Sequence, residues 1–387
     1  MRRTDGSRHR RRAGTATVVD TPAGPGHGGG SREEEELRRI TIITDRVAPV
    51  DAEADPARGT FLIDPGDLQA TLGWVMTSSG LCRGDVCVPV RDPDAVRVGD
   101  RLDVAAVAGA LGRPCVVDVA AGIVAVALPA ELRRRALADL DAPAFTLPDL
   151  DEVPRSLDEW SGLKKLLVAF SSWCGCRYDL PGWQALHDEL APDGFTVVAV
   201  AIDQSADDVR PFADGLTMPV LYDPRHLLTE LYAISNVPTV VWIDEEDRIA
   251  RPNGEAFGTD TFADFTGADS SPHKELVRRW VRRGELPMDE SAARHAVADL
   301  SDDEVLARLH FRVAAEAHRQ GDADTTRTHV LRAGELAPDD LTVWRAGMPL
   351  LGEDPFGQGF LDRYDAWRAK GSPAHSMPSV RSTDRVR

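Results

Sequence analysis

The sequence predicts an α/β chain built from more than one domain, and three observations predict it. An apolar run at 166–170 leads through a polar turn to apolar residues at helical spacing, Trp183, Leu186 and Leu190, the pattern of a buried strand feeding a helix. A second run, 195–203, is almost continuously apolar, as a strand covered on both faces must be. The chain has 387 residues, more than one hydrophobic core normally serves. The composition shifts place a basic tail at 1–35, an α+β domain at 36–140, the α/β domain at 141–288, a helical region at 289–370 and a loose tail at 371–387.

The basic tail holds Arg2, Arg3, Arg8, Arg10, Arg11 and Arg12 and a glycine-rich stretch at 24–30. No apolar run follows, so neither a secretory nor a twin-arginine signal is expected, and the segment reads as disordered. The net charge of −18 argues against nucleic acid as a partner. No stretch has the length of a membrane span, so no membrane partner is expected. The expected location is the cytoplasm, where dithiols stay reduced unless they are working. Five cysteines, an odd number, do not suggest a structural disulfide framework.

In the 36–140 domain, strands are expected at 40–43, 86–90, 115–119 and 123–128. Asp64-Pro65 should cap a short helix ending near Gly73, with further helices at 102–111 and 130–140. Cys82 and Cys87 flank a Gly84-Asp85 turn, and Arg83 favours the thiolate of its neighbour. Two readings stand: an auxiliary redox dithiol exchanging with a second pair, or a turn whose cysteines only pack. Cys115 reads as core.

That second pair, Cys174 and Cys176, lies where a strand becomes a helix N-terminus. Unsatisfied N–H groups and the helix dipole lower a thiol pKa there, and the thiolate is the attacking species in disulfide exchange. A cysteine ring closed across one residue departs easily from ideal torsions, so the couple should be more oxidising than the thioredoxin value of about −270 mV.

Trp173, Cys174, Cys176 and Pro181 resemble the Trp-Cys-x-x-Cys motif of thioredoxin-like proteins, with one residue removed between the cysteines. Cys176, Arg177, Asp179 and Pro181 match the Cys-Arg-x-acid-x-Pro pattern of TlpA/ResA-type redoxins, which are AhpC/TSA-related. Ala142, Pro143, Phe145 and Leu147 resemble the entry segment of redoxins, and Val237-Pro238 resembles the signature in which a cis-proline opens a strand opposite the cysteines. The resemblance implies a thioredoxin-like fold over the domain. Cys174, nearest the start of the helix, is expected to be the nucleophile and the more exposed sulfur, with Cys176 as the resolving thiol. Pro238 would present the backbone before it to a partner peptide. Asp179 reads as a proton shuttle or as an acid complementing the dipole. Trp173 would cover the dithiol, and Arg177 would stabilise the thiolate or face solvent.

Leu309, Val313, Ala317 and then Val330, Ala333, Leu336 mark two amphipathic helices joined at Gln320-Gly321-Asp322. Gly321, Val330, Ala333 and Pro338 match one tetratricopeptide (TPR) unit, so a TPR-like hairpin docked on the redox domain is expected, with 341–351 as a third helix. A partner-binding groove is the alternative.

Three functions remain open. The first is a thiol–disulfide oxidoreductase. The second is an antioxidant peroxidase of the peroxiredoxin type, for which Ser171 takes the threonine place of Pro-x-x-x-Thr-x-x-Cys while Leu167 takes the proline place. The third is a redox-responsive interaction module. Four thiolates at 82, 87, 174 and 176 fit zinc spacing poorly, and no metal or cofactor is expected. No nucleotide fingerprint is present, so an external thiol or thioredoxin-type protein must reduce the dithiol, with a protein disulfide or peroxide as substrate.

Overall fold

A computed structural model describes residues 17–18 and 37–379. The chain divides into two compact units, Met1–Pro129 and Ala130–Arg387.

In the first unit an eight-stranded sheet runs in the order Thr17–Val18, Cys115–Asp118, Ile123–Val126, Arg38–Ile43, Val47–Asp55, Thr60–Ile63, Arg101–Asp103, Arg97–Val98. Alternation in Arg38–Ile43 turns Ile40 and Ile42 inward onto Phe61, Ile63 and Val124. Val47–Asp55 escapes a sequence reading because all of its residues but Val47 and Val50 are alanine, acids or proline, poor strand formers. The helix expected over 102–111 starts later. Arg101–Asp103 is a strand, and the Asp103 carboxylate caps the helix Val104–Ala110 by accepting from the Ala106 amide at 3.0 Å. Cys115 is core, its thiol pushed up to about 12, chiefly by burial.

A three-stranded ribbon, Val75–Thr77, Gly80–Arg83 and Val86–Val88, sets Cys82 directly opposite Cys87, and the two form a disulfide. A bond between them is not expected from the odd cysteine count. Cys87 is exposed, which also removes the reading in which the pair only packs. The cause is register: the Gly84-Asp85 turn brings both cysteines to one face of a hairpin. Thr17–Val18, inside the tail expected to be disordered, pair in parallel with Val116 and Val117. The basic arginines and the glycine-rich stretch lie outside the described residues.

The helix Ala130–Asp139, placed from the sequence in the first domain, belongs to the second unit. Across the sheet of that unit the strands run Val220–Tyr222, Phe195–Ala201, Lys164–Phe170, Thr239–Ile243, Ile249–Gly254. The first three are parallel, and Thr239–Ile243 runs antiparallel to both of its neighbours. This is the thioredoxin-like α/β arrangement. Phe195–Ala201 is buried along its whole length, which its unbroken apolar run requires. The helix Ser270–Arg283 covers one side, stacking Trp280 on Trp242 at 5.0 Å between ring centroids.

The helices Asp302–Arg319 and Ala323–Leu336 form a hairpin through Gly321, whose φ of 77° suits glycine. Two buried ion pairs fasten it, Arg308–Asp340 at 2.7 Å and Arg312–Glu230 at 2.6 Å. The third helix is Leu341–Leu350, and a fourth, Gln358–Ala369, follows unforeseen. The tail expected to be loose is fastened as far as residue 379. The Met377 amide donates to the Asn253 carbonyl and its carbonyl accepts from the Glu255 amide, both at 2.8 Å. The His375 ring contacts the Glu304 carboxylate at 2.5 Å. Residues 380–387 lie outside the described residues.

Candidate active site

The central strand Lys164–Phe170 delivers the chain to the cysteines. Cys174 is extended, with φ −113° and ψ 149°, at the start of a 3-10 turn, Gly175–Asp179; the α-helix proper, Leu180–Leu190, begins one turn later with Pro181 in its first turn. Its sulfur accepts from the Cys176 amide at 3.3 Å and stands 3.6 Å from the Val237 carbonyl oxygen. The Val237–Pro238 peptide is cis, as the resemblance implies.

The two thiols are strongly unequal. Cys174 is held below the ordinary thiol range, first because Cys176 donates to its sulfur, and further by the Arg345 guanidinium and the Cys176 amide, against the effect of burial. Cys176 is pushed well above that range, first by burial, then by donating to Cys174 and by the negative charge there. One sulfur is thus poised to attack while the other holds its proton.

Cys174, expected from its place at the helix start to be the more exposed sulfur, is buried along with its partner. It is 6 % exposed and Cys176 4 %, because the helices Leu341–Leu350 and Gln358–Ala369 stand over the turn. Space reaches the sulfurs through a pocket of about 410 Å³ bounded by those helices, Val237-Pro238 and the 255–266 loop. Its walls include Phe257, Phe262, Phe265, Phe356, Phe360 and Tyr364. The residue between the cysteines is glycine for a steric reason: a Cβ on Gly175 would stand 2.9 Å from the Phe262 ring.

The cation beside the thiolate is Arg345, not the sequence candidate Arg177. Arg345 is anchored by donating from Nε and Nη2 to the Pro355 carbonyl at 3.2 and 3.0 Å, with its guanidinium 3.6 Å from the Phe360 ring centroid and 5.7 Å from that of Trp173. Arg177 instead donates to the Ser172 carbonyl and lies over Tyr178, Phe212 and Phe356. Trp173 is buried beside the dithiol.

Asp179 is buried and lines the pocket. Burial pushes its carboxyl up to about 6, although Oδ1 accepts from the Thr259 amide at 2.8 Å and hydroxyl at 3.0 Å. Its side chain makes no cap bond to the helix, which counts against a role as a dipole acid alone. The Thr259 loop lies this close because residue 258 is glycine: a Cβ there would stand 2.3 Å from the Asp179 carbonyl oxygen. Glu255, also on the pocket wall, is raised by burial. Ser171 is fully buried and its hydroxyl accepts from the Trp173 amide at 3.2 Å. Among the described residues no group of three or more His, Cys, Asp or Glu side chains is placed to hold a metal.

A strand, a cysteine turn with one activated sulfur and, against it, the Val237 carbonyl just before a cis-proline define a thioredoxin-like redox domain. Residues 139–251 match the AhpC/TSA family, and this domain is similar to redoxins of the ResA type. The Thioredoxin-like protein YneN of Bacillus subtilis is 36 % identical over 111 residues, 27 % of this chain and 64 % of that protein. The Thiol-disulfide oxidoreductase ResA of Oceanobacillus iheyensis is 33 % identical over 121 residues, 30 % of this chain and 59 % of that protein. The chain therefore spans under two thirds of the length of these two relatives. Among solved structures, a putative thiol:disulfide interchange protein DsbE from Chlorobium tepidum aligns at 29 % identity and a TM-score of 0.27, over 28 % of this chain and 79 % of that one.

Proposed function

We propose that this chain is a thiol–disulfide oxidoreductase working through Cys174 and Cys176. The observation that carries the proposal is the Cys174 sulfur, lowered in pKa and 3.6 Å from the Val237 carbonyl. Cys174 attacks the substrate disulfide, and Cys176 then attacks Cys174 to release the second thiol. Because the dithiol form is stabilised by the lowered Cys174, the couple should be more oxidising than thioredoxin. Equilibration in glutathione buffers, read by alkylation and mass, should give a midpoint less negative than about −270 mV. A value at or below that contradicts the proposal's energetics, and no dithiol–disulfide couple at all sinks it. The peroxidase reading gains nothing from the geometry, since the Ser171 hydroxyl is engaged by the Trp173 amide.

Asp179 is the proton carrier in this reading. Cys176 must lose its proton to close the disulfide, and a carboxyl with a pKa of about 6 accepts it only above that pH. The closure rate should therefore rise as pH passes about 6. In Asp179→Asn that inflection should vanish, with closure at neutral pH slowed about 100-fold. Rapid-quench kinetics on the mixed disulfide checks this, and an unchanged profile removes Asp179 from the mechanism.

The hairpin Asp302–Arg319 and Ala323–Leu336 is read as one tetratricopeptide-like unit that braces the wall of the site. Reducing power comes from an external thiol or thioredoxin-type protein. The cytoplasmic placement carries over as a proposal, with Cys82 and Cys87 as an auxiliary redox pair cycling between closed and open there. No helix among the described residues is long and apolar enough to cross a membrane.

A further inference from the structure

We infer that the dithiol serves a small apolar disulfide that enters the aromatic pocket, and not the disulfide of a folded protein. The inference rests on the exchange reading above and names its substrate class. Two independent observations carry it.

The first is that the backbone edge beside the cysteines is already used. Partner peptides are held by adding a strand to free main-chain groups. Here three consecutive carbonyls leading up to the cis-proline are occupied within the chain. Ile234 accepts from Arg308 at 2.7 Å and the Thr342 hydroxyl at 3.3 Å; Ser235 accepts from the Leu341 amide at 2.9 Å. Asn236 accepts from the Thr239 hydroxyl at 2.7 Å, and Val237 faces the Cys174 sulfur at 3.6 Å. The start of the helix Leu341–Leu350 is bonded to this edge two and three residues before Val237.

The second is the chemistry of the way in. The pocket volume of about 410 Å³ falls in the range of small-molecule sites, about 300–1,000 Å³. Phe262, Phe265 and Phe356 line it and yet remain 37, 46 and 40 % exposed. Large apolar side chains left in water around one opening mark a binding mouth. Phe360 and Tyr364 continue the apolar wall inward, their rings 5.4 Å apart. The cation at the floor, Arg345, answers the thiolate and leaves no spare positive charge for an anionic substrate.

The chemistry balances within the pocket. The Cys174 thiolate attacks one sulfur of R–S–S–R, forming Cys174–S–S–R and expelling one R–S⁻. Cys176 gives up its proton and attacks the Cys174 sulfur, closing the 174–176 disulfide and expelling the second R–S⁻. Two electrons pass from the dithiol to the substrate, and the thiolates leave as R–SH after taking up protons. Two equivalents of an external thiol, oxidised to their own disulfide, restore the dithiol.

The test follows oxidation of the reduced full chain by dibenzyl disulfide, cystine, insulin and cumene hydroperoxide, each rate divided by that of dithiothreitol with the same reagent. Dibenzyl disulfide should react at least about ten-fold faster than cystine on this scale, and the ratio should fall about ten-fold in Phe265→Ala, where one ring contact is lost. The rim position of Phe265 makes that variant safe for folding, and Phe262→Ala serves as a second. Cystine or insulin matching dibenzyl disulfide, cumene hydroperoxide outpacing every disulfide, or a ratio unmoved in both variants overturns the inference while leaving the exchange reading to its own test. Failure of every disulfide to oxidise Cys174 and Cys176 overturns both.

Discussion

Arg345→Met is expected to slow alkylation of Cys174 by iodoacetamide at pH 7 by about ten-fold or more. A thiol buried to this degree should have a raised pKa; Cys174 has a lowered one because Cys176 donates to it and the Arg345 charge faces it. Methionine keeps an unbranched apolar stem but removes the guanidinium, and with it the charge, the Pro355 bonds and the contacts with the Phe360 and Trp173 rings. Desolvation then has less opposing it, the pKa rises, and the thiolate fraction at neutral pH falls. The rate-versus-pH profile should move to higher pH, and Arg345→Lys should recover part of the shift, since lysine restores the charge without the guanidinium fork. A profile unchanged in Arg345→Met would show that the helix dipole and Cys176 suffice without it.

Asp340→Ala is expected to lower stability by about 3–5 kcal/mol, read as a drop in the urea midpoint. Arg308 and Asp340 are both fully shielded and 2.7 Å apart. Removing the carboxylate strands a guanidinium in the interior, and the cost of an unpaired buried charge exceeds anything the pair contributes as a pair. The carboxylate also caps the helix Leu341–Leu350, accepting from the Thr342 amide at 3.0 Å and hydroxyl at 2.6 Å; losing such a cap costs about 1 kcal/mol. That helix carries Arg345, so the variant should also lose Cys174 reactivity. The double replacement Arg308→Met with Asp340→Leu should recover most of the stability, because two apolar groups leave no charge stranded. A single variant as stable as the parent would mean that water reaches Arg308.

The parts of the site that were legible are those written within a few residues of one another. Trp173, Cys174, Cys176, Asp179 and Pro181 form one contiguous signature, and Pro238 heads a run of strand-forming residues, so both can be read without knowing the fold. The aromatic walls come from residues 80 to 190 positions further on, brought in by the 255–266 loop and by the last helix with the turn before it. Phe360, Tyr364 and Trp367 recur at helical spacing, a signal that could have revealed the fourth helix. Arg345 had no such signal, since an arginine in an amphipathic helix ordinarily belongs to the solvent face. The cover over Cys174 was illegible for the same reason: burial of a motif residue is decided by distant segments. The Cys82–Cys87 bond was missed because an odd cysteine count says nothing about a hairpin that sets two of them opposite each other.

The flanks of the redox sheet have a consequence for how the protein keeps company with itself. Ile249–Gly254 is met at one end by Leu140 and Asp141 and at the other by Met377, and Leu221 on the opposite flank is met by Asp149. Main-chain groups left open on an outer strand are an invitation to another molecule's strand, and through it to aggregation. Here loops and the returning C-terminal segment fill much of that row on both sides, so crowding many copies together offers little purchase for sheet-to-sheet growth.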